Sequence, residues 1–254
     1  MTNKYLSFVN DDHLLKCISN LHGAYVRAKS NIGRKEFYKN KIDIIKLNVD
    51  SKFSNINQEG IIEAELFRQI DKSINNYIGT FHEEVLGGIS GYQIGNHSGY
   101  DIKAINNTLF ADIKNKHNTM NSSSSESLFQ KLANLADRYK KSKCYLVQIL
   151  AKKSFNQKWS GNFNGKEYSH SRVYKISGDQ FYSLLTFNPN AFLELYKILP
   201  TAIDDHLSTY KEDKNIIQHS AFSEIKKFAD VANRKILDQI AFENFPYYTG
   251  FNQM

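Results

Sequence analysis

The sequence predicts a mixed α/β fold, and three patterns along the chain carry this prediction. They are a long amphipathic helix over 59–86, two strands over 100–115, and a second helix followed by a buried strand over 126–151. The chain has 254 residues, which is enough to bury a substantial core. A hydrophobic content of 41% with only 3 prolines is typical of an ordered globular protein. We therefore expect helices packed against a sheet.

The first helix is predicted from apolar residues that recur every three or four positions between Glu59 and Leu86. This spacing places them on one face of a helix. The residues are Ile62, Leu66, Ile70, Ile74, Ile78, Phe81 and Val85. Gly87 and Gly88 end the pattern, because glycine weakens a helix and readily adopts the positive φ of a C-terminal cap. A short strand is expected directly afterwards, at 90–94.

The middle of the chain reads as a hairpin, a helix and a further strand. Strands are predicted at 100–105 and 108–115, with Asn106-Asn107 as the turn between them. A polar loop over 116–125 follows, and its serines could cap a helix that begins near Glu126. The apolar run 144–151 predicts a buried strand. The predicted order is therefore helix, three strands, helix and strand.

The two ends of the chain are expected to extend this core. Residues 1–58 mix short helical patterns with polar stretches and predict an N-terminal helical or irregular extension. Residues 59–151 form the predicted core. Residues 152–254 are expected to pack on that core, with a flexible basic and aromatic segment at 152–175 and helices at 178–185, 190–199 and 220–242.

Charge, cysteine content and hydropathy narrow the function classes. There are 33 Lys and Arg residues against 26 Asp and Glu residues, and the resulting net charge of +7 favours an anionic partner such as nucleic acid. Cys17 and Cys144 are too few for a disulfide framework or an all-cysteine zinc site, so we expect both to be packing residues. The sequence has no apolar run that could cross a bilayer and no recognisable signal peptide, which predicts a cytoplasmic protein.

The predicted hairpin brings two carboxylates and an ammonium group together. Asp101 lies on its first arm, whereas Asp112 and Lys114 lie on its second arm and share a face because side chains alternate along a strand. The two carboxylates, with the main-chain carbonyl of Ile113, could hold a hard cation such as Mg²⁺. Lys114 could then polarise a water or a phosphate oxygen. These groups suit phosphodiester hydrolysis, although an Asp-X-Lys triplet also occurs as a surface charge pair.

The order of elements and these residues together resemble the core of the PD-(D/E)XK nucleases. In that superfamily a helix, three strands, a helix and another strand surround the metal site. Asp101 stands at the first position of the motif, preceded by Tyr100 instead of proline, and Asp112-Ile113-Lys114 forms its second half. The resemblance implies a restriction-endonuclease-like core with a central mixed sheet flanked by helices, and additional helical segments at both ends.

The superfamily often has a further acid on the helix before the hairpin, which matches Glu83 or Glu84 in this chain. Successive residues of a helix are about 100° apart, so Glu84 lies about 60° from Phe81 and shares the buried face. Glu83 points nearly opposite. The helical phase therefore favours Glu84, while either acid could be an ordinary surface residue.

A longer resemblance covers residues 60–187 and is to the type II restriction endonucleases that cut GGNCC sites. It is carried by the segments FHEEVLGGISGY, GYDIKA, LFADIKNKHNTMNSSS and LFQKLANLADRYKKSKCYLVQIL. The resemblance implies cleavage of double-stranded DNA with Mg²⁺, or with Mn²⁺ in its place, and a cognate DNA methyltransferase in the same cell. Because a palindromic site has two identical halves, we also expect a homodimer.

Two stretches are expected to contact the DNA. The loop after the second strand is dense in hydrogen-bonding groups, and it predicts contacts from Asn115, Lys116, His117, Asn118 and Asn121. The basic and aromatic segment predicts further contacts from Lys158 and from Arg172, whose guanidinium could read guanine O6 and N7. Each stretch also has a structural alternative. The loop could serve as the cap of the following helix, and Arg172 could form a salt bridge within the protein.

Two other functions are compatible with the sequence. A repair or structure-selective nuclease could use the same core on damaged or branched DNA. A non-catalytic DNA-binding protein is a further alternative, but closely spaced acids repel phosphate and serve no purpose in such a protein. The retention of Asp101, Asp112 and Lys114 therefore argues for an enzyme.

Overall fold

The computed structural model of the protein describes residues 3–30, 33–95, 99–117, 120–210 and 221–246. None of the helices in these ranges has the length and apolar character needed to cross a membrane. The elements, in chain order, are α1 (Asp11–Ser30), α2 (Arg34–Phe37), α3 (Ile44–Phe53), α4 (Gln58–Gly87), β1 (Tyr92–Ile94), β2 (Ile102–Ala104), β3 (Leu109–Lys116), α5 (Ser122–Arg138), β4 (Lys143–Leu150), β5 (Asn156–Phe163), β6 (Lys166–Ser177), α6 (Gly178–Thr186), α7 (Ala191–Thr209), α8 (Ala221–Val231) and α9 (Ile236–Asn244). The order α4, β1, β2, β3, α5, β4 and the mixed α/β class are as predicted, so the fold class is confirmed.

The six strands form one mixed sheet in the order β1-β2-β3-β4-β6-β5. Neighbouring strands are antiparallel from β1 to β3, parallel from β3 through β4 to β6, and antiparallel again between β6 and β5. The turn between β2 and β3 has Asn107 at a φ of 58°, a left-handed conformation that asparagine tolerates. In this strand order β3 lies between β2 and β4, so its catalytic candidates, Asp112 and Lys114, are in the interior of the sheet.

Helices cover both faces of the sheet. Helix α5 packs Leu128, Phe129 and Leu132 against the side chains of Phe110 and Leu146. The opposite face, which includes Ala111 and Ile113 of β3, belongs to a second cluster with residues of α1, α4, α6 and α7. Because neighbouring residues of β3 point to opposite faces, Asp112 lies on the α5 side.

The chain divides into two compact units, the first comprising residues 1–22 and 75–211 and the second residues 23–74 and 212–254. These units differ from the three segments expected from the sequence. The segment that forms β5 and β6 was expected to lie outside the core. Its two strands instead complete the same sheet as β3 and β4. Hydrogen bonding between distant strands defines the first unit, and chain order does not reveal it.

The second unit has a core of its own. Its buried residues come from the short helices and from the C-terminal helices, and they include Phe37, Ile62, Ile225 and Ile240. The single helix predicted over 220–242 is two helices, α8 and α9. Asn233 has a φ of 50° between them, and this left-handed residue interrupts the helical path.

Segment 152–175 is not a flexible arm, contrary to the prediction. It forms β5, a turn and most of β6, and the turn residues Asn164 and Gly165 both have positive φ, as a tight hairpin turn requires. The aromatic rings of Trp159, Phe163 and Tyr168 all contact the ring of Phe129 on α5. The aromatic residues of this segment are therefore part of the core.

The two cysteines are buried and unpaired, as predicted. Burial raises the pKa of Cys17 to about 12 and that of Cys144 to about 11. Both thiols therefore stay protonated and pack as small apolar side chains.

Candidate active site

Asp101 lies immediately before β2 and is held against β3. Its backbone N–H donates to the carbonyl of Ala111 at 2.8 Å, and its side-chain Oδ2 accepts from the backbone N–H of Ile113 at 2.6 Å. Burial and the charge of Asp112 raise the pKa of Asp101, while the N–H of Ile113 opposes this rise. The carboxylate thus stays beside β3 and near a second acid.

Asp112 lies in the middle of β3 with 4% of its surface exposed, and it receives two ammonium groups. Lys114 Nζ donates to Oδ1, as the alternation along the strand predicts for residues two apart. Lys131, on α5, donates from its Nζ to Oδ2 of Asp112 over a distance of 3.0 Å. One buried carboxylate is therefore held between cations from two elements.

The acids at the end of α4 face different surroundings. Glu83 interacts electrostatically with Asp101, Lys114 and Asp112, and its burial together with the two aspartates raises its pKa to about 7. Glu84 instead accepts a hydrogen bond from Asn20 Nδ2 of α1 at 3.1 Å. The preference for Glu84 from helical phase is corrected here: α1 covers the side of α4 that carries Glu84, and Glu83 faces the sheet.

Asp112 lines a cleft of about 610 Å³. One wall is β3 with Asp112 and Lys114. The other wall is α5 as far as Lys131, together with Met120, which precedes this helix. Hydroxyl groups supply most of the remaining lining, from Ser123, Ser124 and Ser127. The cleft therefore presents ammonium and hydroxyl groups around one buried carboxylate, which suits an anionic ligand.

The sequence carries a clear family relationship. The model of a family described as Eco47II restriction endonuclease matches residues 6–208. The chain belongs to this restriction endonuclease family. It is 40% identical over 257 residues to the type II restriction enzyme Sau96I from Staphylococcus aureus, with 97% of each chain covered. It is 28% identical over 213 residues to the type II restriction enzyme Eco47II from Escherichia coli, covering 80% of this chain and 88% of the relative.

Family membership confirms the resemblance drawn from the motifs. The restriction endonuclease is of type II, a site-specific deoxyribonuclease, and its substrate is double-stranded DNA. Enzymes of this type generally use a divalent metal ion. The repair nuclease and the non-catalytic binding protein are thereby set aside as alternatives.

The donor atoms of the restriction endonuclease fit a hard divalent cation. The carboxylates of Asp101 and Asp112 and the carbonyl of Ile113 are oxygen ligands, and Mg²⁺ sites commonly have only one or two carboxylates with waters and phosphate oxygens. In the part of the chain that the structure describes, no three His, Cys, Asp or Glu side chains group as a metal site. Both oxygens of Asp112 accept from lysines, and each carboxylate oxygen has a second lone pair that could bind a cation.

Three residues predicted to contact DNA have structural roles or face away from the cleft. Asn121 is the N-cap of α5, since its Oδ1 accepts from the backbone N–H of Ser124 at 2.8 Å. This corrects the expected serine cap and gives Asn121 a structural role, while its DNA contact stays a prediction. Asn115 points to the opposite face of β3 from Asp112, and its side-chain oxygen is buried.

Arg172 is also corrected. Its guanidinium donates to the carbonyl of Lys140, to the carbonyl of Ala136 at 2.7 Å, and to Asp137 Oδ1 at 3.3 Å. These acceptors lie at the C-terminal end of α5, where helix carbonyls lack partners within the helix. The structural alternative for Arg172 is therefore the one that the contacts favour.

The remaining predicted contacts differ in their exposure. Lys116 and Lys158 are exposed. His117 is half-buried, and its Nδ1 lies 3.2 Å from the carbonyl of Leu150. Asn118 lies outside the described residues. Among the described residues of this set, the two lysines have the charge and exposure that suit a phosphate.

Sequence reasoning missed Lys131 entirely. It lies 19 residues after Asp112, on the polar side of a helix whose apolar side packs on the sheet. A weak signal was available: Lys131 follows Ser127 by four residues, so both occupy one helix face. A solvated helix has the same pattern, and only the packing of α5 on β3 distinguishes the two cases.

Proposed function

We propose that the restriction endonuclease hydrolyses double-stranded DNA at GGNCC sites with Mg²⁺ held beside Asp101 and Asp112. The observation that carries this proposal is the mutual electrostatic interaction of Asp101, Asp112, Glu83 and Lys114, of which Asp112 and Lys114 line the cleft. Three acids held this close repel one another, and a bound cation relieves that repulsion. Mn²⁺, also a hard cation, is expected to substitute.

Each group then has a separate task. The carboxylates of Asp101 and Asp112 and the carbonyl of Ile113 bind the cation. When bound, the cation offsets the charge that develops on the phosphate and lowers the pKa of a coordinated water. Lys114 stabilises the same charge from the protein side or helps to deprotonate the attacking water. Glu83, which interacts electrostatically with Lys114, would help to orient its ammonium group.

The DNA contacts of this proposal are Lys116, His117 and Lys158, together with Asn118. Lys116 and Lys158 carry exposed ammonium groups that suit backbone phosphates, which position a duplex without reading its sequence. His117 adjoins Lys116 at the end of β3.

The assembly and setting follow from the target. A GGNCC site has two equivalent strands, and a homodimer supplies one active site for each strand. The enzyme acts in the cytoplasm, where a cognate methyltransferase protects the host's own sites. That methyltransferase is a genetic partner and makes no physical contact with the enzyme.

A digestion experiment tests the proposal. Unmethylated DNA of known sequence is incubated with the purified enzyme and Mg²⁺, with Mn²⁺, or with a chelator, and the fragment ends are sequenced. We expect ends at GGNCC sites with either metal and intact DNA with the chelator. Ends at another common sequence would refute the specificity, and cutting that survives the chelator would refute the metal requirement.

Oligomeric state is measured in the same preparation. Sedimentation of the enzyme with a duplex carrying one GGNCC site is expected to give two protein chains per duplex. A single chain on each duplex would overturn the proposed dimer without affecting the proposed chemistry.

A further inference from the structure

The placement of Lys131 exceeds what Asp112 needs. A buried carboxylate is neutralised by one ammonium group, and Lys114 already donates to Oδ1 of Asp112. Lys131 contributes a second positive charge at Oδ2, 3.0 Å away, and 37% of its side chain is exposed. Asp112 therefore has two ammonium partners, and one of them stands at the edge of an open cleft.

The wall on which Lys131 stands is suited to an anion. Lys131 follows Ser123, Ser124 and Ser127 along the cleft-lining side of α5, and all of these residues line the same cleft. Ser123 and Ser124 belong to the first turn of the helix, whose dipole favours negative charge, and Lys131 adds a full positive charge further along the same wall. Lys131 thus faces the space that a DNA strand must enter to reach Asp112.

We propose that Lys131 is a catalytic residue whose ammonium group binds a non-bridging oxygen of the phosphate that is cut, on the side opposite Lys114. This inference rests on the proposed function. In the free enzyme Lys131 occupies Asp112 Oδ2, and in the complex with DNA it turns to the phosphate. Its flexible four-carbon stem and its half-exposed position permit this movement.

A purely structural Lys131 predicts different behaviour. If its only task were to neutralise Asp112, removal would lower the stability of the fold and would leave the number of phosphate contacts unchanged. If Lys131 binds a phosphate, its removal instead lowers the salt dependence of DNA binding, because each phosphate contact contributes about 0.9 to the slope of log K against log salt. The two roles therefore differ in a measurable quantity.

The test uses Lys131→Ala, Lys131→Met and Lys131→Arg in the full-length enzyme. Single-turnover cleavage is measured with Mg²⁺, and duplex binding is measured with Ca²⁺ over a range of salt concentrations. We expect the Ala and Met variants to cut about 10²-fold more slowly and to lose about one unit of salt slope, with a melting temperature close to that of the parent. The Arg variant keeps the charge and should retain most of the slope.

Lys197→Ala is the matched control, since Lys197 is an exposed lysine of α7 in the same unit. It should behave as the parent enzyme in every assay. Unchanged slope and rate in Lys131→Ala would overturn the inference, and so would an unchanged slope with a lowered melting temperature in both the Ala and Met variants. If the parent enzyme itself fails to cut with Mg²⁺, the proposed function fails first, and the two failures are thereby distinguished.

Discussion

The two hairpins of the sheet use polar side chains in opposite ways. In the β2–β3 hairpin, Asp101 and Asp112 come together with Lys114 beside an open cleft, so their charges serve the reaction. In the β5–β6 hairpin, Tyr168 and Arg172 turn towards α5 and hold it. Polar side chains thus build a reactive site in one hairpin and a helix anchor in the other.

The difference arises from the element that each hairpin meets. The first hairpin faces the N-terminal half of α5, where short serine side chains leave room for a ligand. The second faces the aromatic ring of Phe129 and the carbonyl groups at the end of α5, which a tyrosine and an arginine can satisfy. Charged and aromatic composition alone does not separate a binding surface from a structural one.

The most severe test of the first hairpin is Asp112→Asn. The change preserves shape but removes the charge that holds both ammonium groups, and we expect cleavage to fall by about 10³-fold or more. DNA binding in gel-shift assays should persist, because an acid that repels phosphate has been lost. Asp204→Asn, at an exposed acid of α7, is the control and should cut normally. A fully active Asp112→Asn enzyme would remove Asp112 from the site.

The pair Glu83→Gln and Glu84→Gln sharpens the assignment of the helix acid. We expect the first variant to cut about 10 to 100-fold more slowly, because Glu83 interacts with Asp101, Asp112 and Lys114. The second variant should stay within about three-fold of the parent in the same steady-state assay, since Glu84 contacts Asn20. Equal losses in both variants would contradict this distinction.

Glu83 also predicts a pH effect on stability in the metal-free enzyme. Its pKa is raised from 4.5 to about 7, so the protonated form is favoured in the fold and its stabilisation is lost as pH rises from about 4.5 through 7. Glu83→Gln should therefore be more stable than the parent at pH 8, by about 1–3 kcal/mol, and nearly equal at pH 4.5. Thermal melts in a chelating buffer measure the stability difference between the variant and the parent. An equal gain in stability at both pH values would show that the ionisation of Glu83 is not its cause.

Arg172→Ala tests whether the second hairpin is an anchor. We expect a loss of about 2 kcal/mol in the free energy of unfolding, because carbonyls at the end of α5 lose their donor. The cleavage pattern at the remaining activity should not change. The control is Arg138→Ala, which removes an exposed arginine of α5 and should have the same melting temperature as the parent. A relaxed target sequence in Arg172→Ala would restore it as a base-reading residue.

The smallest expected effect is that of Lys158→Ala on the outer strand. Its exposed ammonium group is expected to contact one phosphate, so binding should weaken only a few-fold and the salt slope should fall by about one unit. The rate of cutting at saturating enzyme should be unchanged. An unaltered slope would exclude Lys158 from the DNA interface.

The sequence by itself determined the order of the elements from α4 to β4 and the pairing of Asp112 with Lys114. Helical spacing over 59–86 and strand alternation at Asp112 and Lys114 depend on neighbours a few residues away, and the local backbone geometry enforces them. The family motif could be recognised in the sequence because Asp112, Ile113 and Lys114 are consecutive residues of one strand. The start of α5 was predicted less accurately, near Glu126 instead of Ser122. The helix begins earlier because Asn121 caps it through one hydrogen bond to Ser124.

The tertiary structure alone decided which polar groups work together. Lys131 reaches Asp112 across 19 residues, α1 contacts Glu84 and leaves Glu83 to the site, and Arg172 meets α5 more than 30 residues away. No local period encodes these meetings. They follow from which helix packs on which face of the sheet, and that choice is set by the burial of apolar surface over the whole unit.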